Sequence, residues 1–337
     1  MNKTLLQTII VSYFLCALPV ENFAQVTLLK DINGQPANGS PAGLSVSNGK
    51  VFMRGFYNGN YNLYVSDGTE SGTNLITTNL NPYYMADISG IMYFQGYSAS
   101  TGNELFKSDG TSGGTVLIKD IRPGVNGSAV RGISKVGSFI LFAASDGTNG
   151  YEIWKTDGTG ANTVMVKDLN PGAANSVDFN TDYVATSTKF FYYGTDGVSG
   201  YELCVSDGTG AGTILLKDIN PGAGSSTIKR MRQLGELCFF YADNGTDGME
   251  PWISDGTPAG TFMLKNINPA AATGSYDNFY TLPSSIDTVV YFGANDGTSG
   301  LDLWRTNGTA VGTYLLKDNN ATGSSYPKDF IKFKNKI

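Results

Sequence analysis

The chain contains no histidine, and this absence removes several common chemistries at once. Without imidazole there is no Ser-His-Asp triad, no Cys-His pair and no histidine-ligated zinc site. Charged residues are also scarce, at 15% of the 337 residues, against about 25% in a typical globular domain. The net charge of −6 argues against a nucleic-acid partner, because phosphates attract a basic surface.

Cysteine is rare, and long apolar runs are rarer still. The one long apolar run covers residues 5–18, follows Lys3 and is broken by Pro19. Its length is too short for a transmembrane helix, which needs about 20 apolar residues. We interpret residues 1–24 as a signal peptide, with cleavage before Gln25 and no membrane span afterwards. The mature protein is therefore expected to be secreted or held at the outer cell surface, with the periplasm as the alternative.

Two cysteines remain after that cleavage, Cys204 and Cys238. A secreted chain of this length with two cysteines is not a disulfide scaffold. Cys204 stands where sibling repeats carry Trp or Phe, so we expect a buried, small apolar side chain. A bridge between Cys204 and Cys238 is the alternative.

What the chain has in abundance is glycine, with 43 residues, and aromatic residues, at 12%. This composition favours strands joined by tight turns over helices, in which glycine costs about 1 kcal/mol relative to alanine. One phrase recurs six times at a mean spacing near 48 residues, as in SDGTSGGT and SDGTGAGT. Its second residue is Asp67, Asp109, Asp157, Asp207, Asp255 and Asn307.

Each repeat also contains four short apolar runs separated by Gly, Pro, Asn or Asp. Four strands per unit of this length are typical of a β-propeller blade. A β-solenoid repeats at a shorter period, and tandem sandwiches need about 100 residues per domain. We therefore predict an all-β fold, a β-propeller of four-stranded antiparallel blades over residues 25–337, with six complete blades and a partial seventh.

An acidic residue and a lysine recur 15 residues apart on the predicted third and fourth strands. In the first repeat both charges are missing together, at Asn62 and Thr77. This covariation predicts cross-strand ion pairs that report the register, each worth about 0.2–1 kcal/mol. The predicted pairs are Glu104 with Lys119, Glu152 with Lys167, Glu202 with Lys217, Glu250 with Lys265, and Asp302 with Lys317.

The aspartates of the recurring phrase are predicted to accept hydrogen bonds from amides two or three residues further on. Calcium is the alternative, because carboxylate oxygens are hard ligands. One carboxylate per turn is too few for a good calcium site, so we expect no metal and no cofactor.

The phrases ELFKSDGT and EIWKTDGT, followed by Lys-Asp and Pro-Gly, carry a family resemblance. They resemble the bacterial ELWxxDGT repeats, also called hyalin-like, over nearly all of residues 26–337. The resemblance implies a secreted or surface protein of a Gram-negative bacterium, and it brings no catalytic residues with it. The chain departs from that pattern at Tyr64 and Cys204, and it shows no recognisable C-terminal sorting domain.

The two ends of the repeat region do not match each other. Residues 26–32 resemble a fourth strand without the three strands before it, and residues 329–337 resemble a first strand and the start of a second. We interpret these as fragments of a seventh blade and expect the chain to be truncated at its C-terminus relative to a longer protein.

The sequence favours a non-catalytic binding or structural module, acting in adhesion or in matrix or glycan interaction, and not an enzyme. Its expected partner is an unknown protein or glycan at the cell surface, bound by a monomer. A polysaccharide-active enzyme on a propeller scaffold and a calcium-stabilised adhesin repeat are the alternatives. One candidate ligand face carries a loop aspartate from each of four repeats, at Asp146, Asp196, Asp247 and Asp296. A second candidate patch consists of residues that break the repeat, at Tyr83, Tyr84, Arg131, Lys229, Arg230 and Arg232.

Overall fold

The computed structural model describes residues 29–32, 39–179, 182–270, 274–276, 282–332 and 334. These residues form 24 strands and no helix, so the described part of the chain contains no helix that could cross a membrane. The predicted signal peptide, residues 1–24, lies outside the described residues.

The strands form six separate four-stranded sheets, each built from consecutive strands. Sheet 1 contains β1 (Ala42–Ser47), β2 (Lys50–Tyr57), β3 (Asn60–Ser66) and β4 (Asn74–Thr77). Sheet 2 contains β5 (Tyr83–Ile88), β6 (Ile91–Ser98), β7 (Gly102–Ser108) and β8 (Val116–Lys119). Sheet 3 contains β9 (Arg131–Val136), β10 (Phe139–Ser145), β11 (Tyr151–Thr156) and β12 (Val164–Lys167).

The second half of the chain repeats this arrangement. Sheet 4 contains β13 (Val184–Ala185), β14 (Phe190–Gly194), β15 (Glu202–Ser206) and β16 (Ile214–Lys217). Sheet 5 contains β17 (Lys229–Leu234), β18 (Leu237–Asp243), β19 (Met249–Ser254) and β20 (Phe262–Met263). Sheet 6 contains β21 (Ser284–Ile286), β22 (Val289–Asn295), β23 (Leu301–Thr306) and β24 (Tyr314–Lys317). Neighbouring strands are antiparallel throughout, so each sheet is a simple meander.

The sheets pack as the blades of a propeller rather than as a linear stack. The first strands β1, β5, β9, β13, β17 and β21 contact one another in succession, whereas the second, third and fourth strands of successive sheets lie further apart. Each of the five successive sheet–sheet interfaces has its own apolar core. Sheets that meet at their first strands and diverge outward confirm the predicted β-propeller, with six complete blades. We number the blades 1–6 as the sheets.

The two cysteines of the described chain are free and buried. Cys204 lies in the core between blades 3 and 4, and Cys238 lies in the core between blades 4 and 5. Cys204 is therefore a buried small side chain, and the alternative of a bridge is wrong.

The predicted glutamate–lysine ion pairs are also wrong. In blade 2, Lys119 lies opposite Leu105 and not opposite Glu104, because a bulge between Leu105 and Phe106 shifts the register. A shift of one residue turns a side chain to the other face of the sheet. The same bulge recurs in blades 3, 4 and 6. None of the predicted pairs forms a salt bridge within the described residues. The pairs are Glu104–Lys119, Glu152–Lys167, Glu202–Lys217, Glu250–Lys265 and Asp302–Lys317.

Candidate functional site

Each glutamate of the repeat holds the loop that leads into the next blade. The carboxylate of Glu104 accepts hydrogen bonds from the backbone N–H groups of Ile121 and Arg122, at 3.1 and 3.2 Å, and from the hydroxyl of Ser128 at 2.6 Å. Equivalent bonds hold the loops of blades 3, 4 and 5, at Glu152, Glu202 and Glu250. Amides and hydroxyls of the loop donate to these carboxylates, and the exception among their oxygens is Glu202 Oε1, which is buried without a partner among the described residues.

The repeat lysines of blades 2–4 reach across to the following blade. Lys119 Nζ donates to the carbonyl oxygen of Thr163 at 2.7 Å, and Lys167 Nζ donates to that of Thr213 at 2.9 Å. Lys217 makes the same bond to Thr261 at 2.6 Å. Glutamate and lysine therefore recur together because one fixes a loop within the blade and the other joins successive blades.

The turns between the third and fourth strands are closed by their own side chains. In blade 2, Asp109 Oδ1 accepts from the backbone N–H of Thr111 at 2.8 Å and from its hydroxyl at 2.7 Å. The hydroxyl oxygen of Thr111 accepts in turn from the N–H of Gly114 at 3.0 Å. The hydrogen bonds from Thr111 lower the pKa of the Asp109 carboxyl. The same bonds occur at Asp67, Asp157, Asp207, Asp255 and Asn307.

A side chain at Gly114 would collide with this turn, since a Cβ there would lie 2.1 Å from Asp109 Oδ1. We expect Gly114→Ala to lower the free energy of unfolding by about 1–3 kcal/mol. Blade 3 carries Asn162 at the same place, and its Nδ2 donates to Asp157 Oδ2 at 2.6 Å. Gly114→Asn is therefore the matched variant, and its free energy of unfolding should fall by less than that of Gly114→Ala. Urea unfolding followed by circular dichroism measures both, and equal losses would contradict this account of the turn.

The four aspartates of the first candidate ligand face bind their own loops. Asp146, Asp196 and Asp296 each accept from the amides two and three residues further on, at 2.7–3.0 Å. Asp247 accepts from the side-chain amides of Asn244 and Asn266. Within the described part of the chain, no three Asp, Glu or Cys side chains converge into a group that could hold a metal ion.

The second candidate patch contains a stack of arginines and aromatic rings that crosses blades 1–4. We call it the arginine–aromatic ladder, and its members are Tyr61, Arg54, Tyr83, Tyr84, Arg131 and Phe179.

The two arginines of the ladder each lie between two rings. The Cζ atom of Arg54 lies 4.4 Å from the ring centre of Tyr61 and 4.2 Å from that of Tyr83. The Cζ atom of Arg131 lies 4.1 Å from the ring centre of Tyr84 and 5.5 Å from that of Phe179. Guanidinium groups held over ring faces are kept in fixed planes by cation–π attraction.

The ladder lies where the first strands begin, at one end of the ring of inner strands. Tyr83 and Arg131 are the first residues of β5 and β9. Tyr84 has a φ of 54°, in the left-handed region, whereas blades 1 and 3 carry Gly43 and Gly132 at the same position. A non-glycine residue in this conformation costs about 1–3 kcal/mol, and such strain is found most often at functional sites. Here it accompanies a tyrosine ring placed over Arg131.

A pocket of about 380 Å³ opens beside the ladder, between blades 1 and 2. Its lining includes Arg54, Tyr83, Tyr84, Gly43 and Ser45. The Nε and Nη1 atoms of Arg54 are buried and have no hydrogen-bond acceptor among the described residues. The Nη1 atom of Arg131 reaches the carbonyl of the preceding residue at 3.4 Å. Neither arginine has a carboxylate oxygen within 4 Å in the described ranges.

The remaining members of the second patch are engaged elsewhere or exposed. Arg230 Nε donates to Tyr276 Oη at 3.1 Å, and Arg232 lies 3.6 Å from Asp182 and donates to the carbonyl of Pro283. Lys229 is exposed. Sequence reasoning thus singled out Tyr83, Tyr84 and Arg131 of the ladder.

Sequence reasoning missed Arg54, Tyr61 and Phe179. A usable signal existed for Arg54, because the matching positions of the other second strands are Gln95, Ala143, Tyr193, Tyr241 and Gly293. A lone arginine within an apolar strand is a departure of the same kind as those at Arg131 and Arg230.

Comparisons with known proteins find similarity in structure alone. No family model and no curated protein matches the chain, so the resemblance to ELWxxDGT repeats stays a prediction. A prolyl endopeptidase matches with a TM-score of 0.47 at 12% identity, over 83% of this chain and 43% of its own. The β-propeller domain of the Trilobed protease from Pyrococcus furiosus matches with a TM-score of 0.44 at 10% identity, over 80% and 83%. An uncharacterised protein of Listeria monocytogenes EGD-e matches with a TM-score of 0.47 at 10% identity, over 87% and 86%.

These matches do not support the expected non-catalytic adhesion or matrix module. Four of the similar structures are prolyl endopeptidases or puromycin-hydrolysing enzymes, and a fifth is the propeller domain of a protease. The chain spans about half the length of the peptidases, or less. Since the identities are 10–14% and the TM-scores lie below 0.5, the likeness does not carry peptidase activity over to this chain.

Proposed function

We propose that the protein binds a small ligand bearing an oxyanion, such as a carboxylate or a sulfate, in the pocket beside the arginine–aromatic ladder. The observation that supports this most is Arg54, whose Nε and Nη1 are buried without an acceptor among the described residues. A buried donor left without an acceptor costs about 1–3 kcal/mol. An oxyanion in the pocket would meet the unpaired positive charge of this guanidinium group, with which it forms strong charge-assisted hydrogen bonds.

The charge of the chain supports the same conclusion. The protein carries a net charge of −6, yet Arg54 and Arg131 have no carboxylate partner within 4 Å in the described ranges. Arginine is suited to this role because its planar fork can donate two parallel hydrogen bonds to one oxyanion. The rings that hold both guanidinium groups fix their orientation before a ligand arrives, which lowers the entropy lost on binding. We propose that this binding takes place outside the cytoplasm, as the pattern of residues 1–24 suggests.

Sulfate and citrate are suitable probes of the site, with binding followed by isothermal titration calorimetry at low ionic strength. We expect Arg54→Ala to weaken binding about tenfold or more, since a hydrogen bond to a charged group contributes about 1.5–3 kcal/mol. Arg305→Ala is the matched control, because Arg305 also lies over a tyrosine ring, 5.4 Å from that of Tyr314, but outside the ladder. Equal weakening by both variants, or no binding of either probe to the native protein, would contradict the proposal.

Tyr84→Gly separates the site from the stability of the fold. Glycine is the residue that blades 1 and 3 carry at this position, so the variant relieves the strained φ of Tyr84. We expect it to unfold at the same temperature as the native protein or higher, and to bind the probes more weakly because the pocket loses the tyrosine ring that lines it.

A further inference from the structure

One face of blade 1 is more exposed than the same face of the inner blades. Leu44 of β1 is 68% exposed, whereas Ile133 and Met231 at the matching positions of β9 and β17 are 7% and 1% exposed. Their matching positions follow from the pairing of each first strand with its second strand. In the inner blades this face packs against the preceding blade.

This exposed face of blade 1 forms an apolar groove of about 450 Å³. Its lining includes Leu29, Ile32, Leu44, Val51 and Met53. A contiguous apolar surface of this kind on a soluble protein usually marks an interaction site.

Residues 29–32 occupy the place of the fourth strand of a preceding blade. Lys30 Nζ donates to the carbonyl of Thr73 at 2.6 Å, which is the bond that Lys119, Lys167 and Lys217 make to the blade after theirs. The side chain of Ile32 lies over Gly55 of β2, just as that of Leu80 lies over Gly96 of β6. The carbonyl of Ile32 also accepts from Tyr64 Oη at 3.1 Å.

The other three strands of such a preceding blade have no counterpart among the described residues beside blade 1. In blades 2–6 the second and third strands of the preceding blade supply apolar side chains that cover this face, such as Tyr93 of β6 and Leu105 of β7 between blades 2 and 3. The second and third strands of the repeat are therefore the elements whose shape and apolar side chains fit the groove.

We propose that the groove of blade 1 binds a β-hairpin of a partner polypeptide whose sequence follows the second and third strands of this repeat. The hairpin would place its third strand beside residues 29–32 through backbone hydrogen bonds, as in β-strand addition. Its apolar side chains would cover Leu44, Val51 and Met53.

The chain's own hairpin from blade 3, residues 139–156, is the probe for this site. A synthetic peptide of that sequence, labelled and followed by fluorescence anisotropy, is expected to bind the protein saturably at one site per molecule. A scrambled peptide of the same composition should not bind. Failure of the peptide to bind would overturn the proposal.

The site is located with two aspartate variants on exposed apolar residues. We expect Leu44→Asp to raise the dissociation constant at least about tenfold, and Val311→Asp to leave it unchanged. Val311 is 93% exposed and lies in the last turn of blade 6. Its variant therefore also places an aspartate at an exposed apolar position, but away from the groove. Equal binding by Leu44→Asp and the native protein would contradict the proposal, as would a dimer that Leu44→Asp dissociates, since a second copy would then be the occupant.

Discussion

Replacing Asp302 by glutamate is expected to stabilise the protein by about 1–3 kcal/mol. Asp302 stands in blade 6 where blades 2–5 carry Glu104, Glu152, Glu202 and Glu250, and its side chain is 0% exposed. Both carboxylate oxygens of Asp302 are buried without a hydrogen-bond partner among the described residues. Aspartate is one methylene shorter than glutamate, and we attribute the missing hydrogen bonds to this difference, since Glu104 in blade 2 accepts from two amides and a hydroxyl. Glutamate restores the missing length.

Two control variants show whether the length of the side chain at position 302 or its carboxyl group decides the change in stability. Asp302→Asn replaces the carboxyl by an amide of the same length, so any gain in stability should be smaller than that of Asp302→Glu. Glu104→Asp imposes the shortening on blade 2 and should destabilise the protein by a similar amount, since it strands the amides of Ile121 and Arg122. Urea unfolding at constant pH measures all three changes. A loss of stability in Asp302→Glu would contradict the role assigned to the repeat glutamates.

Stability is expected to fall as the pH rises from about 4.5 to about 7. Burial raises the pKa of Glu152 and that of Glu202 to about 7 in the folded protein, whereas the pKa of a glutamate in the unfolded chain is near its usual value of 4.5. Between these two values the folded state binds more protons than the unfolded state, so raising the pH favours unfolding. The loss is complete about one pH unit above the folded-state pKa of about 7 and amounts to at most about 3.4 kcal/mol per glutamate.

The double variant Glu152→Gln, Glu202→Gln provides the comparison for this dependence. Glutamine keeps the length of the side chain and stays neutral, so the variant should show a flatter profile of unfolding free energy between pH 4.5 and 8. Below about pH 4 both proteins should lose stability together, because the turn carboxylates such as Asp109 have lowered pKa values and become protonated there. If the unfolding free energy of the native protein stays flat or rises from pH 5 to 7, the raised pKa values of Glu152 and Glu202 do not dominate its pH dependence.

The sequence alone was enough to predict the architecture. Four apolar runs per repeat predicted the four strands of each blade, and the recurring phrase marked the turn before each fourth strand. These features depend on local chemistry, such as the hydrogen bonds of Asp109 within its own turn. Local chemistry repeats with the sequence and can be read from it.

The contacts between blades could not be predicted in the same way. Glu104 and Lys119 recur together, and an ion pair within one hairpin was the simplest explanation. A single bulge turns Lys119 to the other face, where it binds Thr163 of the next blade. Spacing within one repeat does not reveal a bulge or a partner 44 residues away.

The candidate site was partly visible as departures from the repeat. Tyr83, Tyr84 and Arg131 were singled out because nothing at matching positions explained them. Their assembly into one ladder with Arg54 and Phe179 depends on packing between blades, which the sequence does not contain.

The most direct test of the proposed function is a titration of the protein with sulfate, followed by nuclear magnetic resonance of the arginine Nε–Hε groups. The account predicts that the signal of Arg54 shifts along a saturable curve while that of Arg305 stays in place. A signal of Arg54 that does not move, or that moves in parallel with that of Arg305, would contradict it.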